Sequence, residues 1–361
     1  MPNQPLTSLF RPEVLAMSAY HVADASHFIK LDAMENPYDW PTDIQQAWLE
    51  QLKSCSLNRY PDPEASGLAK VIRQSNAIPD ECGLLLGNGS DEIIQILQMV
   101  LQGGATVLAP EPGFVMYKQI ALSLGLKYQG IPLLADGFEL DMPAMRDAIA
   151  RLKPELIFLA YPNNPTGNLF DAEAIEEILA VAPGLVVVDE AYAPFADASF
   201  IDRLTQYPNL LVMRTVSKLG LAGLRLGFLA GSPAIIEQLN KVRLPYNINC
   251  LTQTTAHFAL ENQAFLLEQT QTIRQQRSLV LSELQALPGI KAYPSAANFI
   301  LFKTLNKPAD AVFSELKDQW ILIKNLSPQG GMLRDCLRVT VGKPEENQAF
   351  LEALKKSLFA R

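Results

Sequence analysis

One lysine, Lys218, lies in a segment whose composition is unusual for a solvent-exposed loop. The segment reads RTVSKLGLAGLRLG, from residue 214 to residue 227. Hydroxyl-bearing residues precede the lysine, and small or apolar residues follow it up to an arginine. A lysine amine becomes a good nucleophile toward carbonyl groups when burial and neighbouring charges lower its pKa. Lys218 is therefore the candidate nucleophile of the chain.

Three residues near Lys218 have side chains suited to a phosphate group. Thr215 and Ser217 offer hydroxyl donors, and Arg225 offers a planar guanidinium that can form two hydrogen bonds. A nucleophilic amine beside such a set is what pyridoxal phosphate, an aldehyde with an anionic group, requires. An ordinary loop with an exposed lysine is also compatible with this segment alone, so the prediction depends on other segments.

A second phosphate-binding segment is predicted at residues 87–92, GNGSDE, between an apolar run and a helical pattern. Glycines allow the backbone to approach a ligand, and the free N–H groups at the start of a helix attract anions. The turn contains Gly89, Ser90 and Asp91, the last two being candidate helix caps. Many connections between a strand and a helix are capped in this way without binding phosphate.

Polar side chains follow two further apolar runs. Asn164 lies in the turn YPNNPTG, whose prolines fix the position of the amide, so that it can bond either a ligand oxygen or only its own backbone. Asp189 ends the run LVVVD, at the sheet edge where open α/β sheets bind ligands, and Tyr192 follows three residues later. A buried carboxylate needs a cation, which a protonated pyridine nitrogen would supply. A helix-cap role for Asp189 is equally compatible with the sequence.

An aromatic residue, Phe114, follows another predicted strand in the segment EPGFVMY. Stacking of this ring on a cofactor ring would contribute about 0.5–1.5 kcal/mol beyond the burial of its area. Packing in an apolar core explains the same residue as well. The sequence alone leaves both roles open.

Seven apolar runs alternate with helical patterns and must position these side chains. The runs lie at residues 84–87, 105–110, 127–133, 156–160, 185–189, 210–214 and 227–231. The helical patterns lie at about 91–101, 114–124, 142–152, 171–181 and 233–242. Strands without polar alternation that are joined by helices form a mostly parallel sheet covered on both faces. The sequence therefore predicts a large α/β domain with a mostly parallel, seven-stranded sheet.

The C-terminal part has a different pattern and predicts a smaller α+β domain. A long helical segment follows Cys250, and then come strands at 298–303, 321–326 and 336–342 and helices at about 308–318 and 345–359. A chain of 361 residues has the length of about two domains. We predict an N-terminal arm at 1–30, a large domain at 31–255 and a small domain at 256–361. Residues 31–50 can pack with the small domain.

Composition argues against several classes of function. Hydrophobic residues make up 48% and charged residues 19% of the chain, as in ordinary globular proteins. The formal net charge of -8 argues against nucleic acid and anionic membranes as partners. The four cysteines are scattered, and the three histidines are too dispersed for a zinc site. Because neither a signal peptide nor a membrane-spanning run of about 20 apolar residues is recognisable, we expect a cytoplasmic protein that acts on small molecules.

The segments GNGSDE, PGF, NNPTG, VDEAY and SKLGLAGLRLG occur in an order that resembles the fold type I pyridoxal-phosphate aminotransferases, which are aspartate aminotransferase-like. The resemblance covers the chain from about residue 30 to its end. It implies that Lys218 binds the cofactor covalently and later carries protons. It also implies that Asp189 pairs with the pyridine nitrogen, and that Asn164 and Tyr192 bond the phenolic oxygen. The cofactor phosphate would be held by Gly89, Ser90, Asp91, Thr215, Ser217 and Arg225.

Within this superfamily, the segments KLDAMENPY, LNRYPDP, LAGLRLG, RLPYNIN and CLRVTVG resemble the histidinol-phosphate aminotransferases. These enzymes transfer an amino group between L-histidinol phosphate and 2-oxoglutarate in histidine biosynthesis, giving imidazole acetol phosphate and L-glutamate. The resemblance implies that Arg338 holds the substrate phosphate or a carboxylate of glutamate. Tyr20, Asn36 and Lys324 are further candidates for substrate binding.

The resemblance also implies a homodimer with shared active sites. In the family, a tyrosine of one subunit reaches the cofactor phosphate of the other, and Tyr60 in NRYPDP matches it. Two small molecules, the amino donor and 2-oxoglutarate, would be the other partners.

Three positions depart from the family pattern, and two of them, Met34 and Lys324, leave the substrate more open than the cofactor. Phe114 stands where many members have a stacking tyrosine, Met34 replaces a common asparagine, and Lys324 occupies a position that is often arginine. Exchange of arginine for lysine replaces a bidentate fork by a point charge. One alternative is an aromatic amino acid aminotransferase, because apolar pockets discriminate poorly between similar rings. The others are a threonine-phosphate decarboxylase of the same fold and a non-catalytic cofactor-binding module.

Overall fold

The computed structural model of the chain describes residues 6–19 and 24–359. The α-helices are α1 (Pro12–Leu15), α2 (Thr42–Leu52), α3 (Ser66–Ser75), α4 (Ser90–Met99), α5 (Val115–Ser123), α6 (Met142–Leu152), α7 (Ala172–Val181), α8 (Pro233–Asn240), α9 (Cys250–Glu261), α10 (Ala264–Ala286), α11 (Ala309–Asp318) and α12 (Pro344–Phe359). The strands are β1 (Ile29–Lys30), β2 (Gly83–Gly87), β3 (Thr106–Glu111), β4 (Lys127–Pro132), β5 (Leu156–Ala160), β6 (Leu185–Asp189), β7 (Leu210–Thr215), β8 (Gly227–Gly231), β9 (Ile290–Ala292), β10 (Phe299–Thr304), β11 (Ile321–Leu322), β12 (Lys324–Asn325) and β13 (Cys336–Thr340).

A seven-stranded sheet forms the centre of the longer, N-terminal part of the chain. Its strand order is β2-β8-β7-β6-β5-β3-β4. The neighbouring strands from β7 to β4 pair in parallel, whereas β8 is antiparallel to both of its neighbours, β2 and β7. The sheet is therefore mixed but mostly parallel, and each of the seven predicted strands is present.

Helices cover both faces of this sheet, which is why its strands lack polar alternation. Ile157 and Val186 enter the core on one face, whereas Phe158 and Val187, one position further along each strand, enter the core on the other. Helices α3, α6, α7 and α9 pack on the first face, and α4, α5 and α8 pack on the second. The predicted helices of this region are present, with ends that differ by no more than two residues.

The C-terminal part contains a second, smaller sheet with its own core. The sheet has the order β12-β13-β10-β9, and all its pairs are antiparallel. Helices α10, α11 and α12 pack against it around Phe299, Phe302 and Phe350. The single strand predicted at residues 321–326 is two short strands instead, because β11 pairs with β1 and β12 pairs with β13.

The two cores meet along the N-terminal segment and along α10. Leu31 is buried in the core of the smaller sheet, whereas Trp40 packs against a core of the large sheet. Along α10 the change from one core to the other falls between Leu266 and Ile273. The boundary predicted at residue 255 stays a prediction, and this packing favours a boundary further along, within α10.

Candidate active site

A cavity of about 420 Å³ lies at the carboxyl ends of β5, β6 and β7, where open α/β sheets bind ligands. Residues Ala33 to Glu35, which follow β1, line it from the opposite side. The cavity is therefore bounded by both parts of the fold. Ten of the residues predicted for catalysis and cofactor binding line it, and they are Ser90, Asp91, Phe114, Asn164, Asp189, Tyr192, Thr215, Ser217, Lys218 and Arg225.

Lys218 follows β7 in a short 3-10 helix, Ser217–Leu219. Its amine Nζ donates a hydrogen bond to the carbonyl oxygen of Ala33 at 3.2 Å and lies 5.8 Å from the centre of the Tyr192 ring. Burial of the amine, with the nearby positive charge of Arg338 as the second cause, lowers the pKa of Lys218 to about 8. A substantial fraction of the amine is therefore neutral near physiological pH, which nucleophilic attack requires.

The backbone that presents Lys218 depends on a glycine and on Asn36. Gly220 has a φ of +120°, and a Cβ atom there would lie 2.8 Å from Nδ2 of Asn36. That Nδ2 atom donates to the carbonyl oxygen of Leu219 at 3.2 Å and to Oε1 of Gln269 at 3.0 Å. Asn36 does not line the cavity but supports the loop that carries the lysine. Its predicted contact with substrate stays a prediction.

Asp189 ends β6, and its carboxylate is buried at the wall of the cavity. Oδ2 accepts a hydrogen bond from the hydroxyl of Tyr117 at 2.6 Å, and Oδ1 accepts one from the backbone N–H of Ala191 at 3.1 Å. Both donors are uncharged, and burial raises the pKa of Asp189 to about 6. A carboxylate held in this way suits a ligand that brings a positive charge.

Asn164, Tyr192 and Arg338 form a hydrogen-bonded chain beside the lysine. Nδ2 of Asn164 donates to the hydroxyl oxygen of Tyr192 at 3.2 Å, and Nη1 of Arg338 donates to Oδ1 of Asn164 at 2.6 Å. Burial raises the pKa of Tyr192, so its phenol keeps its proton at neutral pH. Arg338 is buried and does not line the cavity itself, but its guanidinium lies directly behind the amide of Asn164.

The start of α4 and the side chain of Arg225 also line the cavity and form its anion-binding end. Gly89 is the residue before α4, and no side chain caps the helix, so the N–H groups of its first turn face outward without a side-chain acceptor. The prediction that Ser90 or Asp91 caps this helix is wrong, since both lie within its first turn. A Cβ atom on Gly89, whose φ is +85°, would lie 2.7 Å from Nη2 of Arg225.

Two hydroxyl groups complete this anion-binding end. The hydroxyl oxygens of Thr215 and Ser217 lie 2.8 Å apart, and both side chains are buried at the end of β7. Nη2 of Arg225 lies 3.3 Å from Oδ2 of Asp91, a contact between half-exposed side chains. Hydroxyls, helix N–H groups and a guanidinium are the donors that phosphate groups bind.

The lining groups fit pyridoxal phosphate. The amine of Lys218 suits its aldehyde, and Asn164 with Tyr192 suits the ring oxygen. The buried carboxylate of Asp189, whose two hydrogen-bond donors are uncharged, suits a protonated ring nitrogen. Gly89 has a φ of +85°, and a Cβ atom there would meet the guanidinium of Arg225, so a glycine keeps the space at the start of α4 open for a phosphate. These observations support the cofactor that the sequence predicts.

Besides Asn36 and Arg338, three further predicted site residues lie away from the cavity or outside the described residues. Tyr60 is 81% exposed and stacks on Tyr246, with ring centres 4.5 Å apart. Lys324 of β12 lies opposite Arg338 of β13 in the antiparallel strand pair, and it does not line the cavity. Tyr20 lies outside the described residues. The roles predicted for all three stay predictions.

Sequence reasoning missed two contributions to the site. Tyr117 enters the sequence analysis only as part of the segment that contains Phe114, although a residue three positions further along a helix lies on the same face. That spacing was the available signal for its contact with Asp189. Met34 and Glu35 line the cavity from the N-terminal segment, and only the fold brings them there.

Residues 6–19 and 24–359 include neither a helix that could span a membrane nor a cluster of metal ligands. None of the helices there combines the length and apolarity that a bilayer crossing demands. No group of three or more His, Cys, Asp or Glu side chains is arranged there to hold a metal ion. The four cysteines are free thiols, with Cys82 and Cys336 buried and Cys55 and Cys250 partly buried.

Similarity to known proteins agrees with this geometry. The sequence profile of the family described as aminotransferase class I and II matches residues 26–354. A histidinol-phosphate aminotransferase 2 of Nitrosococcus oceani is 57% identical over 346 residues, which are 96% of each chain. A histidinol-phosphate aminotransferase of Chromobacterium violaceum is 50% identical over 349 residues, covering 96% of this chain and 97% of the relative.

Solved structures show the same fold. The histidinol-phosphate aminotransferase of Sinorhizobium meliloti, crystallised in complex with pyridoxal-5'-phosphate, has a TM-score of 0.85 at 24% identity and covers 97% of this chain and 98% of its own. The corresponding enzyme of Clostridium acetobutylicum has a TM-score of 0.83 at 24% identity, covering 90% and 98%. The predicted aspartate aminotransferase-like fold is thus confirmed, and the chain belongs to the class I and II aminotransferases.

Proposed function

We propose that this protein is a pyridoxal-phosphate-dependent aminotransferase that converts L-histidinol phosphate and 2-oxoglutarate into imidazole acetol phosphate and L-glutamate. The observation that carries the proposal is the identity of 57% over nearly the whole chain with a relative of that name. Further relatives of the same name are 44–51% identical, each over at least 96% of this chain. The threonine-phosphate decarboxylase is not favoured, because all of these relatives, at 44–57% identity, are named histidinol-phosphate aminotransferases.

The amine of Lys218 is the nucleophile and the proton carrier of the proposed reaction. Pyridoxal phosphate, when bound, supplies an aldehyde carbon for attack by amines and a ring that withdraws electrons from the substrate α-carbon. With a pKa of about 8, the Nζ atom of Lys218 is able to accept a proton near neutral pH and to give it back. Lys218 therefore combines a nucleophilic role with the transfer of a proton from the substrate α-carbon.

Asp189 and the pair Asn164 and Tyr192 orient and tune the ring from two sides. The buried carboxylate of Asp189 would hold the proton on the ring nitrogen, because a positive charge there offsets the cost of burying the carboxylate. The amide Nδ2 of Asn164 and the protonated hydroxyl of Tyr192 are 3.2 Å apart and would converge on one ring oxygen. These contacts would fix the reacting atoms beside the amine of Lys218.

Arg338 is the proposed site for the anionic end of each substrate. Its guanidinium is buried and is already oriented by Oδ1 of Asn164 at 2.6 Å and by the carbonyl oxygen of Asp32 at 3.1 Å. The phosphate of histidinol phosphate and a carboxylate of 2-oxoglutarate are both oxyanions that a guanidinium can bind. One arginine can therefore serve both half-reactions.

The proposed function includes a homodimer. Tyr60 is exposed and does not line the cavity of its own chain, although its position in the sequence matches the family residue that reaches the partner's cofactor phosphate. Leu57 and Leu244, which are 73% and 70% exposed, lie in the segments of Tyr60 and of its stacking partner Tyr246. Exposed apolar side chains of this kind indicate an interaction surface.

The test is an assay of the purified enzyme loaded with pyridoxal phosphate and supplied with 2-oxoglutarate. Glutamate formation is compared for L-histidinol phosphate, L-histidinol, phenylalanine and O-phosphothreonine. We expect kcat/KM to be at least about tenfold higher with histidinol phosphate than with phenylalanine, a difference of about 1.4 kcal/mol in transition-state stabilisation. The comparison with L-histidinol isolates the contribution of the phosphate.

The controls separate the alternative functions. Lys218→Ala should abolish glutamate formation with every donor, which excludes a contaminating activity. Equal or faster turnover of phenylalanine would contradict the proposed substrate and leave an aromatic aminotransferase. Release of carbon dioxide from O-phosphothreonine without a need for 2-oxoglutarate would instead identify a decarboxylase.

A further inference from the structure

Tyr117 is a fully buried tyrosine that lies behind the candidate site. It is on α5 and is 1% exposed. Its ring stacks on Phe158 of β5, with ring centres 4.4 Å apart and planes inclined by 3°, and contacts the edge of Phe114 at 5.5 Å. These two rings fix its orientation, so that its hydroxyl points to one place. That place is Oδ2 of Asp189, 2.6 Å away.

We propose that Tyr117 is a positioning residue that keeps the Asp189 carboxylate ionised and oriented toward the cavity. The inference rests on the proposed function, in which Asp189 pairs with a positively charged ring nitrogen. Each oxygen of the carboxylate has one donor, which is Tyr117 for Oδ2 and the N–H of Ala191 for Oδ1. Without the phenol, the backbone N–H of Ala191 alone would orient the carboxylate.

The charges around Asp189 explain why an uncharged donor matters there. Burial raises the pKa of Asp189, and the negative charges of Asp91 and Glu190 raise it further, whereas the hydrogen bonds from Tyr117 and Ala191 lower it. Loss of the phenol would therefore raise this pKa above about 6, so that the carboxyl would be partly protonated near neutral pH. A neutral carboxyl could not offset the charge of a protonated ring.

Tyr117 is suited to this role over the whole working range of pH. Burial and the negative charge of Asp189 raise the pKa of Tyr117 well above its usual value. The phenol therefore remains a donor in neutral and moderately alkaline solution. A histidine or lysine at the same place would change its charge within or near that range, whereas a tyrosine leaves the charge of the site constant.

The experiment compares Tyr117→Phe with the parent enzyme, because phenylalanine keeps the stacking on Phe158 and removes only the hydroxyl. The Kd for pyridoxal phosphate is measured between pH 5.5 and 8.5 by the absorbance of the bound cofactor. We expect a Kd about tenfold higher at neutral pH and a shift of at least about half a pH unit, toward higher pH, in the midpoint below which affinity falls. The titration of Lys218 is common to both proteins and cancels in this comparison.

Kinetics and a double-mutant cycle distinguish positioning from a merely structural role. In Tyr117→Phe we expect kcat to fall about tenfold while KM for histidinol phosphate changes by less than about threefold. In an Asp189→Asn background, Tyr117→Phe should have a much smaller effect on Kd, because no carboxylate remains to be held. The matched control is Tyr128→Phe, which removes the hydroxyl of a partly buried tyrosine on β4 that does not line the cavity. It should behave like the parent.

Two results would overturn the inference. One is an unchanged pH midpoint for Tyr117→Phe, even if its thermal stability falls. The other is a full effect of Tyr117→Phe on Kd in the Asp189→Asn background. Failure of the parent enzyme to act on histidinol phosphate would contradict the proposed substrate alone, because the cofactor titrations do not depend on the substrate.

Discussion

The lowered pKa of Lys218 predicts how the cofactor-free enzyme captures pyridoxal phosphate. With a pKa of about 8, roughly a tenth of the amine is neutral at pH 7, whereas an ordinary lysine would have well under a thousandth. The rate of covalent capture should rise with pH up to about 8 and then level off, because only the neutral amine attacks. Stopped-flow absorbance between pH 6 and pH 10.5 measures it, with Lys218→Ala as the unreactive control. A rate that keeps rising beyond pH 10 would show that the pKa of the Lys218 amine is not lowered.

We expect the binding of substrate anions to weaken when the planar guanidinium of Arg338 is replaced. Arg338→Lys keeps the positive charge but cannot maintain the contacts to Asn164 and Asp32 together with a bidentate contact to substrate. Hydrogen bonds to charged groups contribute about 1.5–3 kcal/mol, so kcat/KM for histidinol phosphate should fall roughly ten- to a hundredfold, mainly through KM. KM for 2-oxoglutarate should rise as well.

The matched control for this variant is Arg334→Lys, at an exposed arginine shortly before β13. It should leave both KM values at the parent level. If Arg338→Lys also retained the parent KM values for both anions, the assignment of the substrate anions to Arg338 would be wrong.

Gly227 lies where β8, β7 and the start of α4 meet, and we expect its substitution to disturb all three elements. Gly227 pairs with Gly87 on β2 and Thr215 on β7, and a Cβ atom there would lie 2.9 Å from the backbone nitrogen of Ser90. Because the obstructing atoms belong to the backbone, Gly227→Ala must move α4 away from the sheet. We expect a loss of about 1–3 kcal/mol in the free energy of unfolding. We also expect a Kd for pyridoxal phosphate at least about tenfold higher, because the helix start and Thr215 would separate.

Chemical denaturation and cofactor titration measure these two effects. Gly103→Ala is the matched control, since a Cβ atom there has no neighbour within 4 Å. A Gly227→Ala enzyme with parental cofactor affinity would indicate that the start of α4 takes no part in phosphate binding.

The elements of the large sheet could be predicted because each is a continuous apolar run of strand length bounded by helical patterns. The direction of β8 could not, because GFLAG looks the same whether it pairs in parallel or antiparallel. The division of residues 321–326 into β11 and β12 was also hidden, since it depends on a partner strand, β1, almost 300 residues earlier. Local patterns indicate that a strand exists, whereas its partner is decided by tertiary packing.

The candidate site could be predicted where chemistry and sequence position coincide. Asp189 ends β6 and Asn164 follows β5, its parallel neighbour, so the fold alone brings them to one edge of the sheet. Asn36 shows the converse, because its amide is used by Leu219 and Gln269, two residues far away in sequence. Only the packing of the N-terminal segment against both cores decides whether such a residue faces the ligand or the loop beside it.

The exposed apolar surface around Tyr60 supports the association of two chains. The segments of Leu57 and Leu244 expose apolar side chains next to the stacked pair Tyr60 and Tyr246. If this surface is buried in a dimer, Leu244→Glu places a charge in an apolar contact, which should separate the two chains. The mass of the particle should then fall from about twice 39.8 kDa to the 39.8 kDa of a single chain. Sedimentation measures the mass, and cofactor titration should show a higher Kd for pyridoxal phosphate, because the partner's tyrosine is lost.

Leu279→Glu, at a leucine of α10 that is 59% exposed, is the control and should remain dimeric. A parent enzyme that sediments as a monomer while retaining full activity would contradict the shared site, since Tyr60 cannot then reach a second cofactor.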